Sequence, residues 1–511
     1  MPVWTADPSS DRWWRTEMEW LQAPNYELAR LVLQRGLGAT YLIAFLVAVN
    51  QFRPLLGARG LLPVPRLLAA TPFWRTPSIF HLHYSDRFAA VLAWAGVALS
   101  AAAVLGLPEA GPPAVSLLAW LCLWALYLSF VNVGQTFYAF GWETLLCEAG
   151  FLAAFLGPAD VAPPTIVLVA FRWLLFRLEF GAGLIKLRGD RCWRDLTCLH
   201  HHHETQPLPG PLSWYFHHLP GALHKLEVLA NHGAQLVAPV LLFAPQPVAG
   251  VAAGAIVVTQ LWLVLSGNFS WLNLVTIVIA AACVDDGLLG GVMPGGARDL
   301  AAPPGWHQAL VAALGVALLV LSWQPVRNLA SRQQRMNSSF NSLRLVNTYG
   351  AFGSVTKQRR EVVLEGTDDP QAGPRATWKE YEFKGKPGDP QRRPPQVAPY
   401  HLRLDWLMWF VALRGSFDER WLVALVGKLL EGDRATLALL RYNPFPDVPP
   451  AAIRTTLYRY RFTTRQERKD TGAWWVRTRV GDYLPPLRLS SGGSLMAVPA
   501  PAASEVRRPR P

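Results

Sequence analysis

Charge is what this sequence is short of. Only 16% of its 511 residues are Asp, Glu, Lys or Arg, where a water-soluble globular chain carries roughly a quarter, so a uniformly soluble protein is excluded. Cysteine is scarce too. The five present, Cys122, Cys147, Cys192, Cys198 and Cys283, are too few for a disulfide-built scaffold. Three of them lie in apolar stretches, where a thiol behaves as a small hydrophobe. From Met1 to Ala29 the chain is polar and tryptophan-rich, without the charged-then-apolar pattern of a signal peptide, so insertion is expected to use the first hydrophobic span. No internal repeat of fixed period supports an inverted-repeat transporter. Neither a nucleophile elbow nor a phosphate loop is present.

What is there is apolar surface. Hydrophobic residues make up 51% of the chain, with 22 Trp. Stretches suited to crossing a bilayer, which needs about 20 mostly apolar residues, fall at 31–50, 88–107, 114–132, 138–157, 165–186, 233–246, 249–266, 269–284 and 308–323. The expected fold is a polytopic α-helical membrane bundle of about seven to nine spans, followed by a soluble α+β domain with a β-sheet or sandwich core. The expected division is an amphipathic N-terminal segment at 1–30, the membrane domain at 31–324, the C-terminal domain at 325–488 and a disordered tail at 489–511. A loop rich in His and Trp occupies 187–232 of the membrane domain.

Charge is also unevenly placed: residues 1–324 hold 17 Lys and Arg against 18 Asp and Glu, and residues 325–511 hold 31 against 17. The net charge of +13 therefore belongs to the C-terminal third. Basicity there is interleaved with acids and aromatics beside a membrane region, which points to anionic lipid headgroups or an acidic protein partner rather than nucleic acid. Within that third, Tyr458, Tyr460 and Phe462 alternate with Arg459 and Arg461, the pattern of a strand with one buried face. Glu361–Glu365, Trp378–Phe383 and Trp474–Val480 read as strands. Leu402–Leu413 and Trp421–Leu430 read as amphipathic helices, the second stopped by Gly432. From Ser490 onward, Ser, Gly, Pro, Ala and a few Arg predict disorder.

A charge in hydrocarbon costs at least ~2.5 kcal/mol and is rarely left unpaired. Arg172, Glu179 and Lys186 are spaced seven apart, which on a helix returns to nearly the same direction. That face is expected to point into the bundle or a wet cavity, with Glu143 or Glu148 neutralising the excess cation. Three readings stand together: a structural ion-pair network, a polar cavity handling a substrate or a proton, or a Lys186 lying outside the bilayer. In the loop, His200–His203 precede Glu204, and imidazole and carboxylate are zinc ligands. Four consecutive His cannot converge on one ion, so no metal is expected. His202 and Glu204 are the candidates if there is one, against an interfacial loop in which His217, His218 and their aromatic neighbours sit at headgroup depth. Cys192 and Cys198, six apart, can pair if the loop faces an oxidising compartment and remain free thiols otherwise.

Three stretches carry a family likeness. The first is Val131-Asn132-Val133-Gly134-Gln135-Thr136-Phe137, continuing through Phe140-Gly141-Trp142-Glu143 to Leu145-Leu146. The second runs from Phe180 to Pro220 and includes Gly183-Leu184-Ile185-Lys186-Leu187-Arg188-Gly189-Asp190, Cys192-Trp193-Arg194-Asp195-Leu196-Thr197 and Trp214-Tyr215-Phe216-His217-His218. The third is Val346-Asn347-Thr348-Tyr349-Gly350-Ala351-Phe352-Gly353, with Glu365-Gly366-Thr367 and Pro394-Pro395-Gln396 through Pro399-Tyr400-His401. Over most of residues 10–490 the chain resembles the lipase maturation factor family, and its arginine-heavy composition would suit a bacterial member. The resemblance implies a membrane-anchored, chaperone-like factor, without cofactor and more a folding aid than an enzyme. In animals such a factor sits in the endoplasmic reticulum membrane and assists secreted lipases.

The resemblance further implies a client that is an exported lipase or similar protein, with membrane lipids as the other contact. It places the C-terminal domain on the lumenal or periplasmic side, whereas the basicity of that domain by itself suggests the cytoplasm. The client-binding candidates are Arg459, Arg461, Trp474 and Trp475, since Arg and Trp dominate interface energetics. The membrane part is also distantly similar to vitamin K-dependent gamma-carboxylase around Gly183–Leu187 and Trp193. That likeness implies an alternative: an intramembrane enzyme on a lipid or quinone-like substrate, with Lys186 as base and Arg172, Glu179 and Glu143 shaping its pocket.

Overall fold

A computed structural model of the chain describes residues 21–293, 299–373, 376–414 and 420–498. Among the described residues the N-terminal part is built chiefly on the helices α1 (Glu27–Leu56), α2 (Asp86–Leu105), α3 (Pro113–Val133), α4 (Gly141–Ala153), α5 (Thr165–Arg188), α6 (Leu199–Thr205), α7 (Gly221–His232), α8 (Val248–Ser266), α9 (Leu272–Ala280) and α10 (Gly305–Ala330). Further short helices, Val64–Ala70 among them, and turns connect these. The first helix starts at Glu27, inside the stretch expected to be an N-terminal segment, and residues 1–20 of that segment lie outside the described residues. Close packing of α1 on α2 follows from small residues. Gly38 meets the Ala103–Val104 backbone, and Gly96 leaves room for the Phe45 ring, so the two helices approach closely.

Among the described residues, five helices are long and apolar enough to cross a membrane, those of Pro24–Leu56, Asp86–Leu105, Pro113–Val133, Val248–Ser266 and Gly305–Ala330. The other expected spans stop short of that standard for identifiable reasons. The 138–157 stretch forms α4, whose 13 residues reach only about 20 Å against a hydrocarbon core of about 30 Å. The 269–284 stretch gives the short apolar helix Leu272–Cys283. The 233–246 stretch breaks into a π-helical turn, Gly233–Val237, and the single turn Ala238–Leu241. α5 has 24 residues but carries Arg172, Arg177, Glu179, Lys186 and Arg188, too many charges for a lipid-facing helix.

Beyond α10 the chain forms strands β1 (Arg359–Thr367), β2 (Lys379–Glu380), β3 (Glu382–Phe383), β4 (Leu440–Tyr442), β5 (Ala452–Phe462), β6 (Trp475–Leu489) and β7 (Leu495–Ala497). Helices α11 (Arg403–Arg414), α12 (Arg420–Leu430) and α13 (Arg465–Thr471) intervene. Five strands make an antiparallel sheet in the order β2-β1-β5-β6-β7, and β3 pairs with β4. Among the described residues the larger sheet is covered by helices rather than by a second large sheet, so the core is helix on sheet. The expected strand at 378–383 splits into β2 and β3. The tail is ordered further than its composition predicts: Leu495–Ala497 pair with Leu487–Leu489, because ladder hydrogen bonds need backbone groups and not apolar side chains.

The C-terminal domain is not a tethered module. One apolar core runs through both parts, joining Phe140, Trp142 and Trp271 to Trp406, Leu407 and Met408. Three polar clusters lock the junction. In the first, Arg403 Nη1 donates to Glu143 Oε1 and to the Phe137 carbonyl, each at 2.7 Å. Tyr127 donates its hydroxyl to the other Glu143 oxygen, His401 Nδ1 lies 3.3 Å from Glu143, and Gln51 bridges to the Arg403 N–H and the His401 carbonyl. In the second, Glu148 of α4 pairs with Arg177 of α5 and accepts from the Asn347 N–H, the Asn347 amide and the Tyr349 hydroxyl at 2.8–2.9 Å.

The third cluster sits on β1, where alternation puts odd and even residues on opposite faces. Val362 and Leu364 enter the helical core. On the other face Arg359 binds Glu361 and donates to the carbonyls of Glu204, Gln206 and Pro207, which staples the sheet to the histidine loop. The expectation that Glu143 or Glu148 would neutralise the excess cation of the Arg172, Glu179 and Lys186 face is therefore corrected. Both are already committed to the junction.

Burial, and then the Arg403 guanidinium beside it, push the His401 imidazole down to about 4. Its ordinary value is near 6.5, so His401 is neutral when folded and takes up a proton on unfolding. Stability from this source is complete above pH 6.5 and is lost at about 1.4 kcal/mol per pH unit as the pH falls toward 4. The thermal midpoint of the solubilised protein should therefore decline across that window, and His401→Gln should make the decline shallower. An unchanged slope in the variant would assign the acid sensitivity elsewhere.

Candidate functional site

Polar residues buried in an apolar bundle need partners, and those of α5 have built themselves a cavity. Glu179 and Lys186, two helical turns apart on one face, are both buried. Lys186 Nζ donates to Gln235 Oε1 at 2.7 Å and to Asn231 Oδ1 at 3.2 Å. The Gln235 amide donates onward to Glu179 Oε2 at 3.1 Å. The other Glu179 oxygen accepts from Gln260 of α8 at 2.8 Å, and Gln260 accepts from Asn273 of α9 at 2.7 Å. A continuous relay, Lys186–Gln235–Glu179–Gln260–Asn273, thus crosses four segments. The Trp193 ring lies 4.9 Å from the ammonium, a favourable cation–π placement.

Gln235 reaches this position because Gly233–Val237 is a π-helical turn. One extra residue per turn re-aims a side chain, and such bulges recur at functional sites. The relay forms one wall of a cavity of about 700 Å³. Its remaining walls are mostly apolar: Leu223, Leu226, Val258 and Trp262 on the bundle side, and Trp406, Trp409 and Phe410 of α11 from the C-terminal domain. The arrangement offers one charged end and an apolar body, the shape of an amphiphile site. It exists only because the two domains are fused, and Trp409 Nε1 donating to the Thr205 carbonyl at 3.0 Å closes the seam.

Of the residues expected to shape a pocket, Lys186 and Glu179 line this cavity and Arg172 and Glu143 do not. Arg172 keeps the direction its spacing gave it but lies two turns away along α5, bound to the Tyr26 hydroxyl and the Ala282 carbonyl at 2.8 and 3.0 Å. Glu143 belongs to the junction. The missed members are amides: Asn231, Gln235, Gln260 and Asn273. Gln260 and Asn273 carried a readable signal, a lone amide inside an apolar run.

Cys192 and Cys198 are joined as a disulfide, with Cα atoms 4.8 Å apart. Between them, Trp193 donates to the Phe352 carbonyl at 2.8 Å, so this loop rests on the segment leading into the C-terminal domain. Neither weak metal candidate is placed as a ligand. The His202 ring packs against Phe269 and Phe352, and Glu204 accepts from the Phe462 N–H at 2.7 Å. The four client-binding candidates separate by exposure. Arg459 and Arg461 are exposed, the latter paired with Glu467 at 2.6 Å. Trp474 and Trp475 are corrected to core, at 8% and 2% exposure. Trp475 stacks on Phe462, and Arg468 covers Trp474.

The three sequence stretches, together with the residues flanking them, meet in space. Asn132 donates to the Ser342 carbonyl and accepts from Arg344, Glu148 binds Asn347, and the Asp190 N–H donates to the Gly353 carbonyl. Comparison with known proteins matches both parts. The lipase maturation factor transmembrane domain matches residues 28–290 and the lipase maturation factor C-terminal domain matches residues 345–485. Lipase maturation factor 1 of Mus musculus is 44% identical over 508 residues, covering 92% of this chain and 88% of the mouse protein. The Homo sapiens protein of that name is 43% identical, covering 92% and 89%. Lipase maturation factor 2 of Homo sapiens is 30% identical, covering 90% and 83%. No solved structure matches the chain.

Proposed function

Because the chain belongs to the lipase maturation factor family, we propose that it is an integral membrane maturation factor whose client is an exported lipase. The observation carrying this is the 44% identity to a protein named lipase maturation factor 1 across both domains at once. Client contact falls to the exposed face of the C-terminal sheet, where Arg459 and Arg461 stand. The domain lies on an oxidising side, periplasmic or lumenal. Supporting this, the Cys192–Cys198 loop and the C-terminal domain touch through Trp193–Phe352 and Glu204–Phe462, so both share one side of the membrane. α5 is proposed as a further, enclosed span beside the five apolar ones.

A second reading is favoured by one observation, the Lys186–Glu179 cavity. An enzyme acting on an amphiphile there would use the Lys186 amine as base. Co-expression of a secreted lipase with the full chain tests both, measured as secreted activity per amount of lipase protein. The maturation reading expects a gain that persists in Lys186→Met and falls in Arg459→Glu with Arg461→Glu. No gain with the wild-type chain for any exported lipase tried would sink it. A gain abolished by Lys186→Met in a protein that still inserts would favour the enzyme.

A further inference from the structure

His203 is buried at 2% exposure, and both of its ring nitrogens lack a hydrogen-bond partner. A buried imidazole in that condition calls for an explanation. Beside it stand His224 and Glu227, one helical turn apart on α7. The ligand atoms of the three residues all lie within 4.8 Å of one another. His203 Nε2 is 3.6 Å, and His224 Nδ1 2.9 Å, from Glu227 Oε2. Ligands on a tetrahedral zinc at about 2.0–2.1 Å stand roughly 3.3 Å apart, so the triad needs only small shifts to close on an ion.

We propose that His203, His224 and Glu227 hold a divalent transition-metal ion, zinc foremost, with its fourth position open to the amphiphile cavity. Two imidazoles and one carboxylate are a donor set that suits zinc. The surroundings also orient the ligands, as metal sites require. Trp262 Nε1 donates to the free Glu227 oxygen at 2.8 Å, and His224 Nε2 lies 3.4 Å from the His217 carbonyl. His203 and Glu227 both line the cavity, so the open position faces its interior.

The test uses the full chain, purified in detergent without a polyhistidine tag, stripped with a chelator, loaded with Zn²⁺ or Co²⁺ and freed of excess. The expectation is about one ion per chain, with the Co²⁺ form showing the strong visible bands of a four-coordinate site. Trp262→Phe should weaken retention by roughly 10–100-fold, and His203→Ala and His224→Ala by at least as much, while His201→Ala leaves it unchanged. A wild-type chain that retains neither ion overturns the proposal whether or not the variants fold. So does retention that tracks His201→Ala rather than His203→Ala, which would place the ion on the outer histidine run.

Discussion

Replacing Glu143 by alanine is expected to destabilise the protein by about 3–5 kcal/mol, the range for breaking a buried ion pair from one side. The residue is fully buried. Its loss strands the Arg403 guanidinium, which sits 3.4 Å from the Tyr138 ring centroid and has two nitrogens, Nε and Nη2, without hydrogen-bond partners already. The Tyr127 hydroxyl loses its acceptor at the same time. Because the pair ties α4 to the first residue of α11, the domains should loosen together, visible as a lower thermal midpoint in detergent and earlier proteolysis. Removing both charges, Glu143→Met with Arg403→Met, should recover much of the loss, since the cost lies in the unpaired charge rather than in the absent pair. A single Glu143→Ala variant with an unshifted midpoint would refute this account of the junction.

A loss of similar size, about 3–5 kcal/mol, is expected for Glu148→Ala, with a different signature. Glu148 pairs with Arg177, which also donates to the Asn347 carbonyl at 2.6 Å. The same carboxylate holds the Asn347 backbone, the Asn347 side chain and the Tyr349 hydroxyl. The segment around Asn347 has little secondary structure of its own and crosses α5 where Gly181 leaves room for the Tyr349 carbonyl. Loss of Glu148 should therefore release this segment first, so cleavage by added protease should appear there before it appears in the β-sheet. Glu148→Gln keeps an acceptor and should do less harm. Equal protection of the segment in wild type and Glu148→Ala would show that it is held by packing alone.

Several features were legible in the residues. The alternation of Tyr458, Tyr460 and Phe462 with Arg459 and Arg461 marked a strand correctly, because a two-residue period depends only on which neighbours are apolar. The amphipathic patterns of α11 and α12 were equally plain. Seven-residue spacing placed Glu179 and Lys186 on one face of one helix. It could not tell that Arg172, on that same face, would be claimed by Tyr26 at the other end. Nor could it tell that Trp474 and Trp475 would turn inward, since a Trp-Trp pair reads alike in a core and on a docking surface. The metal-capable group shows the same limit from another side. His202 and His203 are adjacent in sequence and about 100° apart on a helix, and only packing against α7 decides which of them meets a carboxylate.

The sequence by itself determined the embedding in a membrane, the family, the existence of a basic C-terminal domain and the local period of its strands and helices. These follow from composition and from contacts a few residues apart. Tertiary structure alone decided the pairing of charges: Glu143 with Arg403 across 260 positions, Glu148 with Asn347 across 199, and Lys186 with Gln235 across 49. In a low-dielectric interior every buried charge must find a partner, but which partner depends on which helices come to lie side by side. That choice is made by the packing of the whole chain, and no stretch of it states the answer locally.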